Sequence, residues 1–221
     1  MNNRFDSVIF DLDGTLLNTL GDLNAAVNYA MDRFGFPRRT VDETRRFIGN
    51  GVKRLIDLSV PEGTSEEMSA DCLKIYKEYY SSHLDVLTVP YDGISELLKS
   101  LKSKGIKTAV VSNKYDSATK HLMDLFFGDL IDFSLGERPD IKRKPAPDAL
   151  FYAIGKIDAK RPIYVGDSEV DVAIAHNAGL ECIGVSWGFR GREVLKEHSC
   201  DYIVDTPEEL IKIIVSDREV S

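Results

Sequence analysis

The stretch Ser7-Val8-Ile9-Phe10-Asp11-Leu12-Asp13-Gly14-Thr15-Leu16 decides the fold. A short apolar segment, which favours a buried strand, runs directly into two carboxylates and a glycine. Open α/β sheets bind ligands at the carboxyl ends of their strands, so the stretch predicts a strand that ends at a binding site. Strands also end in Asp and Gly for turn formation alone, and the motif becomes specific only together with others.

Beyond that stretch, short segments rich in Val, Ile and Phe alternate with stretches of helical apolar spacing. This alternation predicts an α/β fold with a doubly wound, Rossmann-like parallel sheet. The final helix is predicted to begin at Thr206-Pro207-Glu208-Glu209, a capping-box sequence with Pro at the first helical position. The predicted strands are Ser7–Phe10, Lys107–Val111, Leu130–Leu135, Ile163–Val165, Cys182–Val185 and Tyr202–Val204.

One segment departs from the alternation. Between about residues 18 and 87 the apolar residues recur with helical spacing, and no convincing strand interrupts them. We therefore expect an all-helical cap domain inserted into the α/β core domain. The predicted core comprises residues 1–17 and 88–221, and the predicted cap comprises residues 18–87.

Composition excludes several classes of protein. The net charge of −8, from 36 acidic and 28 basic residues, disfavours an extended nucleic-acid surface. No apolar run reaches the roughly 18 residues that a membrane helix needs. The first residues lack the apolar core of a secretory signal, so we expect a cytoplasmic protein. Cys72, Cys182 and Cys200 lie far apart and indicate neither a disulfide framework nor a zinc site.

Three further motifs follow later predicted strands. Ser112-Asn113 comes after the second strand, where a hydroxyl and a backbone amide at a helix start would favour an anion. In Arg143-Lys144-Pro145-Ala146-Pro147 the prolines hold the backbone and so direct the Lys144 ammonium. Gly166-Asp167-Ser168-Glu169-Val170-Asp171 places two aspartates one helical turn apart.

The aspartates of these motifs predict a metal site. Asp11, Asp13, Asp167 and Asp171 would repel one another if all were ionised without a counter-charge. A divalent cation removes that penalty, and hard oxygen ligands without His or Cys favour Mg²⁺. The sequence therefore predicts Mg²⁺ as cofactor and these four aspartates as its site.

In residue type, order and position, the four motifs resemble those of the haloacid dehalogenase superfamily of phosphotransferases. The resemblance implies hydrolysis of a phosphate ester with Asp11 as the nucleophile. Asp13 would be the acid/base that protonates the leaving oxygen and later activates water, and Thr15 would help to position it. Ser112 and Lys144 would hold the phosphoryl oxygens.

The same resemblance implies roles for the remaining motif residues. Gly14 and Asn113 would join the phosphate-binding groups. Asp167 would be a magnesium ligand, and Asp171 would support the metal site.

Two further segments resemble the phosphoglycolate phosphatases of that superfamily. They are the predicted cap loop Arg46-Phe47-Ile48-Gly49-Asn50-Gly51 and the later segment Gly184-Val185-Ser186-Trp187-Gly188-Phe189-Arg190. The likeness implies 2-phosphoglycolate as a first substrate. It also implies that Asn50 and Lys53 contact substrate when the cap closes.

Other functions stay open on the sequence alone. Similar caps serve pyrophosphatases and nucleotidases, and a sugar phosphomutase is disfavoured because those enzymes usually carry an aliphatic residue in place of Thr15. A dehalogenase would lack the second aspartate. A phospho-accepting receiver module uses a similar residue set around magnesium, but it is roughly half as long and has no helical insert. The expected partner is a small phosphate ester, without nucleic acid or membrane, and the expected state is a monomer or homodimer.

Overall fold

The computed structural model describes residues 3–216 of the chain. The chain divides into two compact units. One contains the described residues up to Leu16 and from Pro90 onward, and the other contains Leu17–Val89. The sequence analysis placed the two domain boundaries between residues 17 and 18 and between residues 87 and 88. In the described part of the chain, no helix has both the length and the apolar character that crossing a membrane requires.

Strands and helices alternate in the first unit, whereas the second unit is built mainly from helices, with a two-residue strand at its start and the first residue of another at its end. In chain order, strands β1 to β8 are Ser7–Phe10, Leu17–Asn18, Val89–Pro90, Lys107–Tyr115, Phe133–Glu137, Pro162–Gly166, Cys182–Val185 and Tyr202–Val204. Helices α1 to α10 are Leu20–Arg33, Val41–Phe47, Gly51–Ser59, Glu66–Tyr80, Ile94–Ser103, Asp116–Phe126, Asp148–Ile157, Glu169–Asn177, Gly191–Glu197 and Pro207–Val215. A turn of 3₁₀ helix covers Gly128–Leu130.

Six strands form one parallel sheet in the order β5-β4-β1-β6-β7-β8. The first strand of the chain lies at the centre of this sheet. Phe10 in β1 pairs with Val110 in β4 on one side and with Val165 in β6 on the other. All four residues of β1 are buried, as expected for a central parallel strand covered by helices. The predicted α/β class with a parallel, Rossmann-like sheet is confirmed.

The predicted strand bounds are confirmed for β1, β7 and β8 and differ elsewhere. β4 continues to Tyr115 instead of ending at Val111, and its pairing with β5 becomes irregular between these two residues. β5 runs from Phe133 to Glu137 rather than from Leu130 to Leu135, and a 3₁₀ turn occupies Gly128–Leu130. β6 is longer than predicted by one residue at each end.

Apolar packing against the sheet fixes the positions of the strand ends. Ile9 and Val111 of the sheet lie in one buried cluster with Leu150 of α7 and Ile174 of α8. Helix α10 packs with α5. As predicted, α10 begins with Pro207 in its first turn, and the hydroxyl of Thr206 accepts the backbone N–H of Glu209 at 3.3 Å.

The second unit packs α1 to α4 around a small core of its own, to which Val27, Ile56 and Tyr76 contribute fully buried side chains. The Asp22 carboxylate of α1 accepts the backbone N–H groups of Leu87 and Thr88 at 2.8–3.0 Å. These bonds fasten the last residues of the unit to its first helix.

Candidate active site

The carboxyl ends of β1, β4 and β6 meet at one edge of the sheet, because these three strands are adjacent and parallel. Asp11 follows β1, Ser112 lies in the last part of β4, and Asp167 follows β6. Lys144 comes from the segment between β5 and α7. The fold therefore brings a residue of each of the four predicted motifs to one place.

Asp11 is 7% exposed, and its backbone N–H donates to the Val165 carbonyl at 2.8 Å, which extends the β1–β6 pairing past the strand end. Lys144 Nζ lies 2.7 Å from Asp11 Oδ1. Among residues 3–216, the buried Oδ1 has no hydrogen-bond partner besides this ammonium. Such an oxygen is suited to bind a cation or to attack an electrophile.

The Lys144 ammonium is shared by two carboxylates. Its Nζ also donates to Asp171 Oδ1 at 2.8 Å and to the Tyr164 hydroxyl at 3.2 Å. Lys144 and Asp171 are almost completely buried, and an ammonium in this position neutralises charge at Asp11 without help from water. Two reciprocal bonds hold the backbone of Lys144. Asn113 Oδ1 accepts its N–H at 2.9 Å, and Asn113 Nδ2 donates to its carbonyl at 3.2 Å.

Both oxygens of Asp171 accept several hydrogen bonds. Oδ2 accepts the backbone N–H groups of Asp167 and Ser168 at 3.2 and 3.1 Å and the Ser168 hydroxyl at 2.6 Å. Oδ1 accepts from Lys144, and the Tyr164 hydroxyl lies 3.1 Å away. Asp171 therefore organises the start of α8 and orients Lys144.

Asp167 is held by the segment that follows β7. Its Oδ2 accepts the backbone N–H of Phe189 at 2.6 Å, and its Oδ1 accepts the Thr15 hydroxyl over a longer 3.4 Å. Gly14 has a φ of +89°, and a Cβ at this position would lie 2.5 Å from Asp167 Oδ2, so glycine is required there. The predicted roles of Gly14 in phosphate binding and of Thr15 in positioning Asp13 stay predictions.

The pKa values of Asp11 and Asp167 are raised because these carboxylates are buried close to other carboxylates. Burial, followed by the charge of Asp171, raises the pKa of Asp11 to about 7, and Lys144 offsets only part of this. Burial and the charges of Asp171 and Asp11 also raise the pKa of Asp167 well above its usual value. Burial alone would lower the pKa of Lys144, but Asp11 and Asp171 raise it. The site therefore holds more negative charge than Lys144 balances.

Three carboxylates of the site could hold a cation. Asp11, Asp167 and Asp171 each offer an oxygen, and these oxygens lie within 4.8 Å of one another. The donor set is all oxygen, and the buried Asp11 Oδ1 has no partner besides Lys144 in the described chain, so the residues fit a hard divalent cation such as Mg²⁺. Since hydrogen bonds already engage both oxygens of Asp171, Asp11 and Asp167 are the better ligands.

Asp13 lies apart from that cluster of three. Its two carboxylate oxygens accept hydrogen bonds from Lys114 Nζ at 2.7 and 3.0 Å. This contact joins the turn after β1 to the end of β4. The sequence motifs assigned no role to Lys114.

Ser112 and Asn113 do not lie at a helix start, and that sequence interpretation is wrong. Both residues lie within β4, and α6 begins only at Asp116. The Ser112 hydroxyl accepts the backbone N–H of Lys114 at 3.2 Å. Anion binding here would therefore rest on the Ser112 hydroxyl itself rather than on a helix terminus.

The predicted substrate residues of the second unit lie near the beginning of α3. Asn50 immediately precedes the helix and is exposed. Lys53 is also exposed, and its ammonium donates to Asp57 Oδ2 one helical turn later, at 2.7 Å. Their contact with substrate stays a prediction.

Sequence reasoning missed Tyr164 and Phe189 as parts of the site. Tyr164 lies inside a strand, where an aromatic residue indicates packing, and its hydroxyl carries no motif signal. Phe189 acts through its backbone N–H, which side-chain patterns do not reveal. The neighbouring Gly188 could have indicated this contact in the sequence, because glycine often marks a close approach of the backbone to another group. A Cβ at this position would lie 2.2 Å from Asp167 Cβ and 2.5 Å from the Gly14 carbonyl oxygen.

Comparisons with known proteins agree with this geometry. The family model described as haloacid dehalogenase-like hydrolase matches residues 8–185. The chain is 31% identical to a phosphoglycolate phosphatase of Mannheimia succiniciproducens, with 97% of this chain and 100% of that protein aligned.

Solved structures share the fold of the chain. A protein from Lactobacillus delbrueckii subsp. bulgaricus superimposes with a TM-score of 0.91 at 35% identity, covering 96% of this chain and 99% of that one. CbbY from Rhodobacter sphaeroides, solved in complex with phosphate, superimposes with a TM-score of 0.76 at 26% identity, covering 93% and 96%. The chain therefore belongs to the haloacid dehalogenase-like hydrolase family, and it is a phosphatase of that family.

Proposed function

We propose that this phosphatase is Mg²⁺-dependent and works through a covalent aspartyl-phosphate on Asp11, with 2-phosphoglycolate as its first-choice substrate. The observation that carries the mechanism is the buried Asp11 carboxylate, whose Oδ1 lies 2.7 Å from Lys144 Nζ and has no other hydrogen-bond partner within the described chain. A nucleophilic carboxylate needs a nearby cation that limits repulsion from an incoming phosphate.

The cation-binding residues follow from the donor set. Asp11 and Asp167 would hold Mg²⁺, while Asp171 would keep Lys144 and the start of α8 in place. Bound Mg²⁺ would neutralise charge on the phosphoryl oxygens. Asp13, whose carboxylate pairs with Lys114, is proposed for proton transfer, and its predicted place in the metal site stays a prediction.

In the first half-reaction, an Asp11 carboxylate oxygen attacks phosphorus in line with the ester bond. The new O–P bond forms as the ester P–O bond breaks, and Asp13 gives its proton to the departing alcohol oxygen. Lys144 and the Ser112 hydroxyl hold the other phosphoryl oxygens. In the second half-reaction, Asp13 takes a proton from water as the water oxygen attacks phosphorus. The new O–P bond forms as the Asp11 O–P bond breaks, which releases phosphate and restores the Asp11 carboxylate.

The substrate proposal is supported by the relatives of the chain. The Mannheimia relative is named a phosphoglycolate phosphatase, and nearly the whole chain aligns with it. We also propose that Asn50 and Lys53 contact the substrate. Lys53→Ala should then raise KM with little change in kcat, since such contacts are made equally in the ground and transition states.

One experiment tests the function and the intermediate together. Purified protein is assayed for phosphate release from 2-phosphoglycolate, pyrophosphate, nucleoside monophosphates and sugar phosphates, with and without Mg²⁺. The Asp11→Asn variant should release no phosphate, and rapidly quenched wild type should carry a phosphoryl group on Asp11 in peptide mass spectrometry. Normal turnover by Asp11→Asn would overturn the proposed mechanism. Transfer of phosphate between sugar positions without free phosphate would indicate a mutase.

The Asp13 role has its own measurement. Asp13→Asn removes the proton donor while keeping the size of the side chain. We expect kcat to fall by about 10² to 10⁴, the range for general acid–base catalysis.

The cytoplasmic location and the monomeric or homodimeric state are also part of the proposal. Sedimentation of the purified protein checks the oligomeric state.

A further inference from the structure

Lys114 contacts the proposed acid/base, although no step of the mechanism above uses it. Its Nζ is 2.7 and 3.0 Å from the two oxygens of Asp13. The side chains of Lys114 and Asp13 are 4% and 15% exposed, so water and salt screen this ion pair little. Among residues 3–216, Lys114 and Lys144 are the two buried lysines, and Lys144 pairs with Asp11. Each aspartate of the proposed mechanism therefore has its own buried ammonium.

The backbone of Lys114 is held on two sides. Its N–H donates to the Ser112 hydroxyl at 3.2 Å. Gly136 of β5 comes so close that a Cβ there would lie 2.5 Å from the Lys114 carbonyl oxygen. The β4–β5 pairing is irregular between Val111 and Tyr115, and such irregularities often redirect side chains next to active sites. The side chain of Lys114 therefore reaches Asp13 from a fixed backbone.

Contact with both oxygens restrains the whole carboxylate of Asp13. A carboxylate held at one oxygen can still turn about its side-chain bonds, and a bond to each oxygen opposes that rotation. Catalytic groups work only when they are held within about 0.5 Å of the productive geometry. Each carboxylate oxygen has two lone pairs, so an oxygen that accepts from Lys114 can still take a proton from water.

We propose that Lys114 is a positioning residue, which holds Asp13 in the orientation that takes the proton of the attacking water. The proposal rests on the proposed function and assigns Lys114 to hydrolysis of the aspartyl-phosphate. In that step the water oxygen bonds to phosphorus, the Asp11 O–P bond breaks, and the water proton goes to Asp13. A displacement of about 1 Å can cost roughly 10²-fold in rate, so loss of Lys114 slows this step although Asp13 remains.

p-Nitrophenyl phosphate isolates this step, because nitrophenolate is a stable anion that departs without a proton. For this ester kcat/KM reports the steps up to nitrophenolate release, and hydrolysis of the phosphoenzyme comes later. Wild type, Lys114→Gln, Asp13→Asn and the control Lys142→Gln are compared with Mg²⁺ present. Lys142 is 79% exposed on its side chain, and its variant loses the same charge. The enzyme is labelled with radioactive ester and diluted into unlabelled ester, and rapid quenching follows the label on Asp11.

In Lys114→Gln the label should leave Asp11 about 10- to 100-fold more slowly than in wild type, while kcat/KM stays near the wild-type value. Asp13→Asn should also lose its label slowly, and Lys142→Gln should match wild type. A merely structural role of Lys114 would lower kcat/KM and leave the decay of the label unchanged. Decay at the wild-type rate in Lys114→Gln would overturn the proposal.

Gly136→Ala takes the place of Lys114→Gln if that variant does not fold, because the added Cβ must displace the backbone that carries Lys114. Its label should also decay slowly, whereas Gly155→Ala, which has open space around its Cβ, is the control. Equal decay in these two variants would overturn the proposal.

The same measurements separate this proposal from the proposed function. If wild type never carries label on Asp11, or if Asp13→Asn loses its label at the wild-type rate, the proposed mechanism fails and the role of Lys114 fails with it. If Asp13→Asn loses its label slowly but Lys114→Gln behaves like wild type, only the role of Lys114 fails.

Discussion

The backbone N–H of Phe189 donates to Asp167 Oδ2 at 2.6 Å, which places the segment after β7 directly against a proposed magnesium ligand. The neighbouring Trp187 indole N–H donates to the Thr15 carbonyl at 3.1 Å. The same segment thus contacts the turn after Asp11 and the turn after β6. Groups that orient a metal ligand influence metal affinity nearly as much as the ligands themselves.

Gly188→Ala should weaken magnesium binding. A Cβ at this position would lie 2.2 Å from Asp167 Cβ and 2.5 Å from the Gly14 carbonyl oxygen, so the turn must shift. We expect Mg²⁺ affinity by calorimetry to fall about 10- to 100-fold. Gly155→Ala is the control, because Gly155 lies in α7 with no atom near its Cβ, and the change should leave affinity unchanged. Equal affinities in Gly188→Ala and wild type would contradict the prediction.

Removing magnesium should abolish phosphate release and lower thermal stability together. Bound cation relieves the repulsion among the buried aspartates, and a ligand at 100 times its Kd stabilises a protein by about 2.7 kcal/mol. The measurement is Tm and activity in EDTA before and after Mg²⁺ is restored. Trp187 is the single tryptophan of the chain, so its emission should change during the same titration. Full activity and an unchanged Tm in EDTA would refute the metal proposal.

Tyr164→Phe should lower kcat while keeping the fold. The change removes a hydroxyl 3.1 Å from Asp171 Oδ1 and 3.2 Å from Lys144 Nζ but keeps the buried ring. We expect a loss of about 0.5 to 1.5 kcal/mol in the free energy of unfolding. Tyr202→Phe is the control, because its hydroxyl bonds to Arg4 and Glu181, outside the residues of the site. The prediction is wrong if both variants retain the wild-type kcat.

Asp6 should make stability fall in acid. Burial would raise the pKa of Asp6, but hydrogen bonds from the Ser7 hydroxyl and the backbone N–H groups of Arg161 and Lys160 outweigh it and lower the pKa. A carboxylate whose pKa is lower in the folded protein stabilises the folded state at pH values above its pKa in the unfolded chain, near 3.8. This stabilisation is lost as the pH falls through the pKa of the carboxylate in the folded protein.

The measurement is chemical unfolding of wild type and Asp6→Asn from pH 7 down to pH 3. At pH 7 the variant should be less stable by about 1 kcal/mol, and the difference should shrink in acid. Asp124→Asn, an exposed carboxylate of α6, supplies the control and should show little difference at any pH. A difference that stays constant across the range would show that Asp6 ionisation is not its source.

The sequence predicted the sheet and the meeting of the four motifs well, because both depend on strand patterns and on where parallel strands end. It failed at Ser112, where polar residues after an apolar run indicated a helix start although β4 continues to Tyr115. It also did not predict that Lys114 and Phe189 contact residues of the site. Their partners, Asp13 and Asp167, lie far away in the chain, and pairings of that kind are set by strand order rather than by local sequence.

The central place of β1 has a consequence for biosynthesis. This strand precedes both of its sheet neighbours in the chain, and they pair with it through Lys107 and Pro162 and later residues. Until those segments are translated, its apolar side chains and both its backbone edges have no native partner. Nascent chains in that condition are prone to aggregation and are natural clients of chaperones. The proposed nucleophile Asp11, which follows β1, is thus made before the strands that flank β1, and it can work only after they have been synthesised.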